Sequence, residues 1–152
     1  MGLKVGDTVP EFTLKDQHGK PFSSSDLLGR KPIVIYFYPK DDTPGCTKEA
    51  CSFRDSYEDF KDLGAEVIGI SGDTVKSHSK FAQKHQLPFI LLSDSNNEVR
   101  KAFKVGKSML ILPGRETYVI DRNGKIIMVF NNLLNAEKHI TEAINALKKS
   151  QQ

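Results

Sequence analysis

The chain has 152 residues, of which 38% are hydrophobic and 27% charged, and its formal net charge at pH 7 is +3. A chain of this length buries about two-thirds of its unfolded surface, so we expect residues 1–152 to fold as a single domain without a metal or disulfide. Basic and acidic residues are mixed along the chain, which gives no support to nucleic-acid binding. The longest apolar stretch, Ile33 to Tyr38, is far shorter than the roughly 20 residues of a membrane-spanning helix.

The first predicted elements are a hairpin, a short helix and a strand. Residues 11–15 alternate polar and apolar side chains, and residues 17–20 supply a turn. Ser25 is a candidate N-cap for a short helix that ends near Gly29. Residues 33–38 form an unbroken run of β-branched and aromatic side chains. Such a run predicts a central strand that is covered on both faces.

A long helix is predicted directly after this strand. Pro39 ends the strand, and residues 40–45 have the composition of a loop. From Cys46 to Leu63 the apolar residues recur at spacings of three and four, and Gly64 follows as a stop signal. The sequence therefore predicts one helix over this range.

The rest of the chain continues the alternation of strands and helices. The predicted elements are a strand at 67–70, a helix from the cap Thr74 to about 86, a strand at 88–92, a short helix at 98–103, strands at 117–120 and 125–130, and a helix at 136–148. An Asn-Gly turn joins the last two strands and indicates a hairpin. Together these elements predict an α/β fold with a mixed central sheet flanked by helices and an N-terminal hairpin.

The chemistry of the sequence is concentrated at the start of the long helix. Cys46 lies in its first turn, where unpaired N–H groups and the helix dipole stabilise a thiolate relative to a thiol. The alternative is that Cys46 is a small buried residue without a reaction. Thiol ionisation at pH 7 raises the reactive fraction only about 30-fold, whereas enzymes accelerate reactions at least about a millionfold. A catalytic interpretation therefore also needs groups that position a substrate, and Thr43 and the amides near Gly45 are candidates.

The two cysteines, Cys46 and Cys51, are five positions apart. They match neither the framework of a disulfide-rich secreted protein nor a four-ligand zinc site, and they favour a reactive pair in a reducing compartment. On an ideal helix their Cα atoms are about 8.6 Å apart, whereas a disulfide becomes impractical beyond about 7 Å. If they pair, the first one or two turns of the helix must unwind.

The residues from Tyr38 to Cys51 carry a resemblance to a known family. Pro39, Thr43 and Cys46 have the spacing Pro-x-x-x-Thr-x-x-Cys of peroxiredoxins, which are cysteine peroxidases on a thioredoxin-like fold. The longer pattern Tyr-Pro-x-x-x-Thr-Pro-Gly-Cys-Thr-x-x-Ala-Cys resembles the peroxiredoxin Q group, also called bacterioferritin comigratory protein. Further matches at 66–71, 87–89, 92–94, 113–115 and 117–121 extend the resemblance over nearly the whole chain.

The resemblance implies a role for each of five residues. Cys46 corresponds to the peroxidatic cysteine, which a peroxide oxidises to a sulfenic acid, and Cys51 to the resolving cysteine, which forms an intramolecular disulfide with it. Thr43 corresponds to the threonine whose hydroxyl contacts the cysteine sulfur and the peroxide. Arg115 corresponds to the arginine that holds the thiolate and polarises the O–O bond. Pro39 corresponds to the proline that shields the cysteine.

The resemblance also implies the partners of the reaction. The substrates would be hydrogen peroxide and organic hydroperoxides, and a dithiol protein such as thioredoxin would reduce the disulfide, without a bound cofactor or metal. We expect a monomer that binds neither nucleic acid nor membrane. The match is strongest with plant and cyanobacterial forms, which implies a cytoplasmic protein if it is bacterial and a mature chloroplast protein if it is from a plant. Residues 105–112 depart from the pattern, which bears on the choice of peroxide.

Several other polar residues favour structural roles. His18, His78, His85 and His139 have no ligand spacing to the cysteines, so solvated or capping positions are expected. The adjacent pair of carboxylates at 41–42 is interpreted as turn chemistry.

Two other functions remain open from the sequence. A thioredoxin-like disulfide exchanger would share the cysteine at the helix start, but it would carry Cys-x-x-Cys and would have no task for Arg115. A non-catalytic binding module would need neither cysteine.

Overall fold

The computed structural model describes residues 3–96, 98–103, 107–108, 112–113, 116–131 and 136–151. The strands are β1 (Thr13–Asp16), β2 (Pro21–Ser23), β3 (Ile33–Phe37), β4 (Glu66–Ser71), β5 (Ile90–Ser93), β6 (Lys107–Ser108), β7 (Leu112–Pro113), β8 (Glu116–Ile120) and β9 (Ile126–Asn131). The helices are α1 (Pro44–Asp55), α2 (Tyr57–Asp62), α3 (Val75–His85), α4 (Glu98–Ala102) and α5 (Ala136–Ser150). Among the described residues, no helix is long and apolar enough to cross a membrane.

Seven of the strands form one mixed sheet in the order β2-β1-β5-β4-β3-β8-β9. Strands β3, β4 and β5 are parallel, whereas the N-terminal hairpin β1–β2 and the hairpin β8–β9 are antiparallel. The predicted mixed sheet and N-terminal hairpin are therefore confirmed. Strands β6 and β7 pair separately and were not predicted. In the sheet, the carboxyl end of β3 lies next to that of β4, so the segments that follow these strands meet at one edge.

Strand β3 is buried at all five positions, as its uninterrupted apolar pattern predicts. Alternate residues point to opposite faces of a strand, and Val34 and Tyr36 accordingly belong to one core cluster while Ile33 and Ile35 belong to another. The first cluster also contains residues of α1, α2 and α5, including Phe53. The helix that carries both cysteines is therefore packed directly against the central strand.

The single helix predicted from Cys46 to Leu63 is wrong, because the chain breaks it at Ser56. This residue has φ −103° and ψ 7°, and it separates α1 from α2. Serine is a weak helix former because its hydroxyl competes for backbone hydrogen bonds. The apolar spacing nevertheless continues through the break, so that Phe53 and Phe60 reach the same core cluster, with ring centroids 5.7 Å apart.

The other boundaries differ from the predictions at the ends of elements. The short helix predicted after Ser25 is a 3-10 turn over Ser24–Asp26. Thr74 caps α3 as predicted, because its Oγ1 accepts a hydrogen bond of 3.1 Å from the amide of Ser77. That helix ends at His85, and its C-cap Gln86 adopts the left-handed conformation with φ 52°.

Gly69 in β4 is required by the ring of Tyr36 on the neighbouring strand. A Cβ atom at position 69 would lie 2.8 Å from Cζ of Tyr36 and 2.9 Å from Cδ2 of Leu91. Tyr36 cannot move away easily, because its ring stacks on Phe53 of α1 with centroids 4.5 Å apart. A side chain at position 69 would therefore disturb the contact between the sheet and the cysteine helix.

We expect Gly69→Ala to lower the free energy of unfolding by about 2 kcal/mol, because overpacking a buried site costs about 1–3 kcal/mol. Urea denaturation of the reduced protein measures the change. Gln83→Ala, on the exposed surface of α3, is the control and should stay within about 0.5 kcal/mol of the original protein. Equal midpoints for the two variants would contradict the steric argument.

Candidate active site

Helix α1 places Cys46 in its first turn and Cys51 in the turns that follow. Thr43 is the N-cap and Pro44 occupies the first helical position, where the missing N–H of proline costs nothing. The side chain of Cys46 is buried with 2% exposure, and it belongs to the core cluster on this face of the sheet. Cys51 is half-buried, and the two cysteines are not joined by a disulfide. Cys46 therefore faces the core, whereas Cys51 is partly accessible to solvent.

The loop before Cys46 brings Pro39 and Thr43 to the same end of the sheet. Pro39 directly follows Tyr38, whose amide donates a hydrogen bond of 3.1 Å to the carbonyl of Ile70 in β4. The Thr43 hydroxyl donates to the carbonyl of Lys40 at 2.9 Å and makes no capping hydrogen bond. Its oxygen therefore keeps acceptor capacity for a further donor.

Asp41 in this loop is buried, with an exposure of 6%, although sequence analysis assigned it to turn chemistry. Its carboxylate accepts hydrogen bonds from the hydroxyls of Tyr38 at 2.5 Å and Ser77 at 2.9 Å, and it lies 2.6 Å from Nδ1 of His78. Its amide donates to the carboxylate of Asp73 at 2.8 Å. The turn interpretation is therefore wrong for Asp41, because four separate groups hold it inside the protein.

Asp42 behaves as the turn interpretation predicts. It is exposed and adopts the left-handed conformation with φ 61°, which aspartate tolerates better than most residues. Its carboxylate accepts hydrogen bonds of 3.0 and 3.2 Å from Nζ of Lys84, and this contact lowers the pKa of Asp42 below its usual value. The two adjacent carboxylates thus point in different directions.

Two of the four histidines contradict the expectation of solvated or capping positions. His78 and His139 are fully buried. The signal was present in the helical spacing, because His139, Ala143 and Leu147 recur every four residues and form one buried face of α5. His18 is exposed as expected, and the side chain of His85 is 18% exposed.

His139 forms a second buried polar group beside α1. Its Nδ1 lies 2.6 Å from the hydroxyl oxygen of Thr117 in β8 and 3.6 Å from a carboxylate oxygen of Glu49. Glu49 is fully buried and lies three residues after Cys46, about one helical turn away. The start of α1 is therefore packed against buried polar side chains as well as against the apolar core.

The carboxylates of Asp41 and Asp73 and the ring of His78 form the one group within the described residues that has the arrangement of metal ligands, with atoms within 4.8 Å of one another. The candidate ligand atoms already take part in hydrogen bonds. The carboxylate oxygen of Asp73 accepts from the Ser71 hydroxyl at 2.6 Å as well as from the amide of Asp41. The donor set is that of a closed hydrogen-bond network, and it does not fit a metal site.

Comparisons with known proteins agree with this arrangement. A sequence model of the AhpC/TSA family matches residues 5–129. "Peroxiredoxin Q, chloroplastic" of Sedum lineare is 58% identical over 144 residues, which cover 94% of this chain and 77% of the relative. The protein of the same name in Arabidopsis thaliana is 58% identical over 147 residues, which cover 96% of this chain and 68% of the relative.

Two solved structures are similar to this chain over most of their length. The peroxidoxin BcpB of Mycobacterium tuberculosis has a TM-score of 0.90 at 39% identity, covering 97% of both chains. A structure of Xanthomonas campestris peroxiredoxin Q has a TM-score of 0.85 at 31% identity, covering 93% of this chain and 92% of the other. The chain belongs to the AhpC/TSA family, in its peroxiredoxin Q group.

The membership confirms the thioredoxin-like fold and identifies the chain as a thiol-dependent peroxidase. A peroxiredoxin consumes peroxide and is recycled by a thiol reductant. The comparisons therefore favour the peroxidase over the disulfide exchanger and the non-catalytic module that the sequence had left open.

Of two arginines that bear on this peroxiredoxin site, one lies within the residues that the structure describes. Arg115, which the resemblance assigns to the thiolate, lies outside the described residues, as does most of the segment 105–112. Arg100 in α4, which no sequence pattern had indicated, is 6% exposed and donates from a terminal guanidinium nitrogen to the carbonyl of Tyr38 at 3.3 Å. Burial lowers the pKa of Arg100, and the neighbouring Asp94 and Glu116 oppose that shift. The contact fixes the end of β3 immediately before Pro39.

Three tyrosines of this peroxiredoxin hold their protons more tightly than free tyrosine does. Burial is the main cause of the raised pKa of Tyr38 and of Tyr118, and hydrogen bonds to the carboxylates of Asp41 and Glu116 add to it. Burial and a hydrogen bond to Glu66 raise the pKa of Tyr57 to about 12.

We expect these tyrosines to make the folded state sensitive to alkali. Above pH 10 the unfolded chain loses phenolic protons that the folded chain retains, so stability falls as pH rises, by about 1.4 kcal/mol per pH unit for each tyrosine. The contribution of these tyrosines to stability is fully present below pH 10. The contribution of Tyr57 is lost by about pH 12. Urea unfolding at several pH values measures the slope, which Tyr118→Phe should reduce. Tyrosinate absorbance that rises near pH 10 for all four tyrosines of the folded protein would contradict this prediction.

Proposed function

We propose that Cys46 is the peroxidatic cysteine and Cys51 the resolving cysteine of this peroxidase. The Cys46 thiolate attacks one peroxide oxygen, the O–O bond breaks, and the other oxygen leaves as water or an alcohol after it takes up a proton. The Cys51 thiol then attacks the resulting sulfenic acid, which releases water and forms the disulfide. A dithiol reductant supplies two electrons and two protons to restore both thiols.

The observation that carries this assignment is the position of Cys46 in the first turn of α1, buried beside the loop that holds Pro39 and Thr43. Free backbone N–H groups at a helix start stabilise a thiolate and a developing negative charge. Pro39 is half-buried in this loop, and its proposed role is to shield the thiol from water. The Thr43 oxygen keeps acceptor capacity, so it can accept a hydrogen bond from the peroxide.

The assignment is tested by counting thiols after oxidation. Reduced protein is mixed with a small excess of hydrogen peroxide, and free thiols are quantified and mapped by mass spectrometry. We expect both thiols to be lost together, with a disulfide between Cys46 and Cys51 in the same chain. A Cys46 thiol that survives peroxide but exchanges with small disulfides would instead indicate a disulfide exchanger.

Arg115 is proposed to hold the thiolate and to polarise the peroxide, because ionisation of the thiol explains only a small part of an enzymatic rate. We expect Arg115→Ala to slow peroxide reduction by at least about a hundredfold. The rate constant with peroxide and the thiolate fraction of Cys46 are measured on the same variant. A loss of rate no larger than the loss of thiolate would contradict the positioning role.

We further propose thioredoxin as the reductant and both hydrogen peroxide and organic hydroperoxides as substrates. Support for the organic substrates comes from the bacterioferritin comigratory protein of Xanthomonas campestris, which is 30% identical to this chain and whose solved structures are described in terms of its alkyl peroxide reduction activity. A thioredoxin-coupled assay with each peroxide tests both points, and absence of peroxide consumption would contradict them.

We also propose that residues 1–152 act as one domain and as a monomer in a chloroplast. The plant relatives are named chloroplastic, which supports this location. Strands from both halves of the chain share one sheet, which supports a single domain. We expect one cooperative unfolding transition and a monomeric mass in solution. We also expect the protein to be recovered from isolated chloroplasts.

A further inference from the structure

The loop that leads to Cys46 is held at one residue, Asp41. The backbone amide of Asp41 donates to Asp73, which follows β4. Its side chain accepts from Tyr38, at the end of β3, and from Ser77 and His78 of α3. These four contacts connect the loop to the end of β3, to the segment after β4 and to α3.

The side chain of His78 joins Asp41 to strand β5. Its Nε2 lies 2.9 Å from the carbonyl oxygen of Leu92 in β5, and because a carbonyl can only accept, Nε2 carries a proton. Its Nδ1 lies 2.6 Å from the Asp41 carboxylate, which already accepts from two hydroxyls. Because a carboxylate can only accept, Nδ1 is its third donor, and with both ring nitrogens protonated His78 is an imidazolium paired with Asp41. His78 is completely buried, so water cannot replace either contact.

Asp41 lies directly before Asp42, the residue of the loop with a strained backbone. Asp42 adopts φ 61°, and Thr43 then caps α1 with an extended backbone. The amide of Thr47 donates to the carbonyl of Thr43 at 2.8 Å, which is the hydrogen bond that closes the turn containing Cys46. The position of Asp41 thus determines where the cap and the first turn of α1 begin.

We propose that His78, acting through Asp41, is a positioning residue that holds the loop of residues 39–43 and the first turn of α1 in the arrangement that reacts with peroxide. The inference rests on the proposed role of Cys46. Disulfide formation requires this turn to unwind, since the cysteines of an intact helix are too far apart. The contacts of His78 therefore favour the peroxide-reactive form over the unwound form and set the balance between the two steps.

A matched pair of substitutions separates positioning from simple packing. In His78→Asn, the amide N–H lies near the position of Nδ1 and can still donate to Asp41. In His78→Gln, the amide N–H lies near the position of Nε2 and keeps the contact to Leu92 instead. Ala82→Gly, in the same helix, weakens α3 without altering a hydrogen bond to the loop and is the control for lost stability.

We expect His78→Gln to lower the rate constant of Cys46 with hydrogen peroxide by about tenfold or more, the effect of losing a hydrogen bond to a charged group. The rate of disulfide formation from the sulfenic acid should be unchanged or higher. His78→Asn and Ala82→Gly should stay within about threefold of the original protein in the peroxide step. Equal losses in the Gln and Asn variants, or a loss in the Gln variant no larger than in Ala82→Gly, would overturn the proposal.

A second measurement does not depend on peroxide chemistry. In reduced protein, His78→Gln should accelerate hydrogen exchange at the amides of Asp41 and Thr47, whereas Ala82→Gly should not. Ser77→Ala, which removes another donor to Asp41, should produce a smaller loss of rate, about fivefold, which still exceeds that of the controls, and it tests the idea if the Gln variant does not fold. Unchanged exchange and rate in the variants that fold would refute the positioning role. Formation of the first sulfenic acid on a residue other than Cys46 in the original protein would instead refute the proposed function.

Discussion

Replacing Cys46 by serine is expected to reduce peroxide reduction by at least about 10⁴-fold, which corresponds to more than about 5 kcal/mol of barrier. The serine hydroxyl has nearly the size of the thiol, so the buried site should keep its packing. At neutral pH the hydroxyl is not ionised and is a weak nucleophile without an adjacent base. The measurement is the rate of peroxide consumption with a reductant in excess.

Cys51→Ser is the matched control for this prediction, because it lies on the same helix and keeps Cys46. It should react with one equivalent of peroxide at nearly the original rate and accumulate a sulfenic acid that a dimedone probe traps. Turnover with the dithiol reductant should then fall. If Cys46→Ser still consumed peroxide while Cys51→Ser did not, the two cysteine roles would have to be exchanged.

Oxidation of the reduced protein to the disulfide is expected to expose the backbone of α1 from Cys46 to Phe53. From Thr47 onward the amides of this segment form helical hydrogen bonds in the reduced protein, and the disulfide can close only when some of these bonds open. We therefore expect hydrogen exchange there to become at least about a hundredfold faster on oxidation. Exchange followed by mass spectrometry on the reduced and oxidised forms measures the difference.

The unwinding should end near Arg54, which anchors the end of α1. Its guanidinium donates to the carbonyl of His85 at the end of α3, at 2.8 Å. Its contact with Asp55, at 3.0 Å, also raises the pKa of Arg54. Amides of α5 should keep their protection, and Cys51→Ser treated with peroxide should retain a protected α1. Equal protection of residues 46–53 in the reduced and disulfide forms would contradict local unwinding.

Local patterns predicted most of the secondary structure because they depend on neighbouring residues only. The apolar run of β3 and the spacing of three and four along α1 and α2 indicate which side chains are buried. The break at Ser56 was missed because the apolar spacing passes through it without a change. The two cysteines and Thr43 were identified as site candidates because their spacing at the start of one helix is a local property.

The burial of Asp41, His78 and His139 could not be read from their neighbours in the sequence. Asp41 and His78 are 37 positions apart, and His139 meets Thr117 across 22 positions. A lone charged or imidazole side chain is costly to bury, so the reasonable expectation for each is exposure to solvent. Each becomes favourable in the core only when its hydrogen-bond partner arrives from another element.

The sequence by itself determined that this protein has a mixed α/β fold, a cysteine at a helix start and a second cysteine that an intact helix keeps out of reach. Those features follow from the periods of strands and helices, which are the same in every protein. The tertiary structure alone decided how the loop before Cys46 is held, because the donors to Asp41 come from β3 and α3 and that helix is in turn joined to β5. Such contacts exist only when the parallel strands are side by side and the segments that follow them meet at one edge of the sheet.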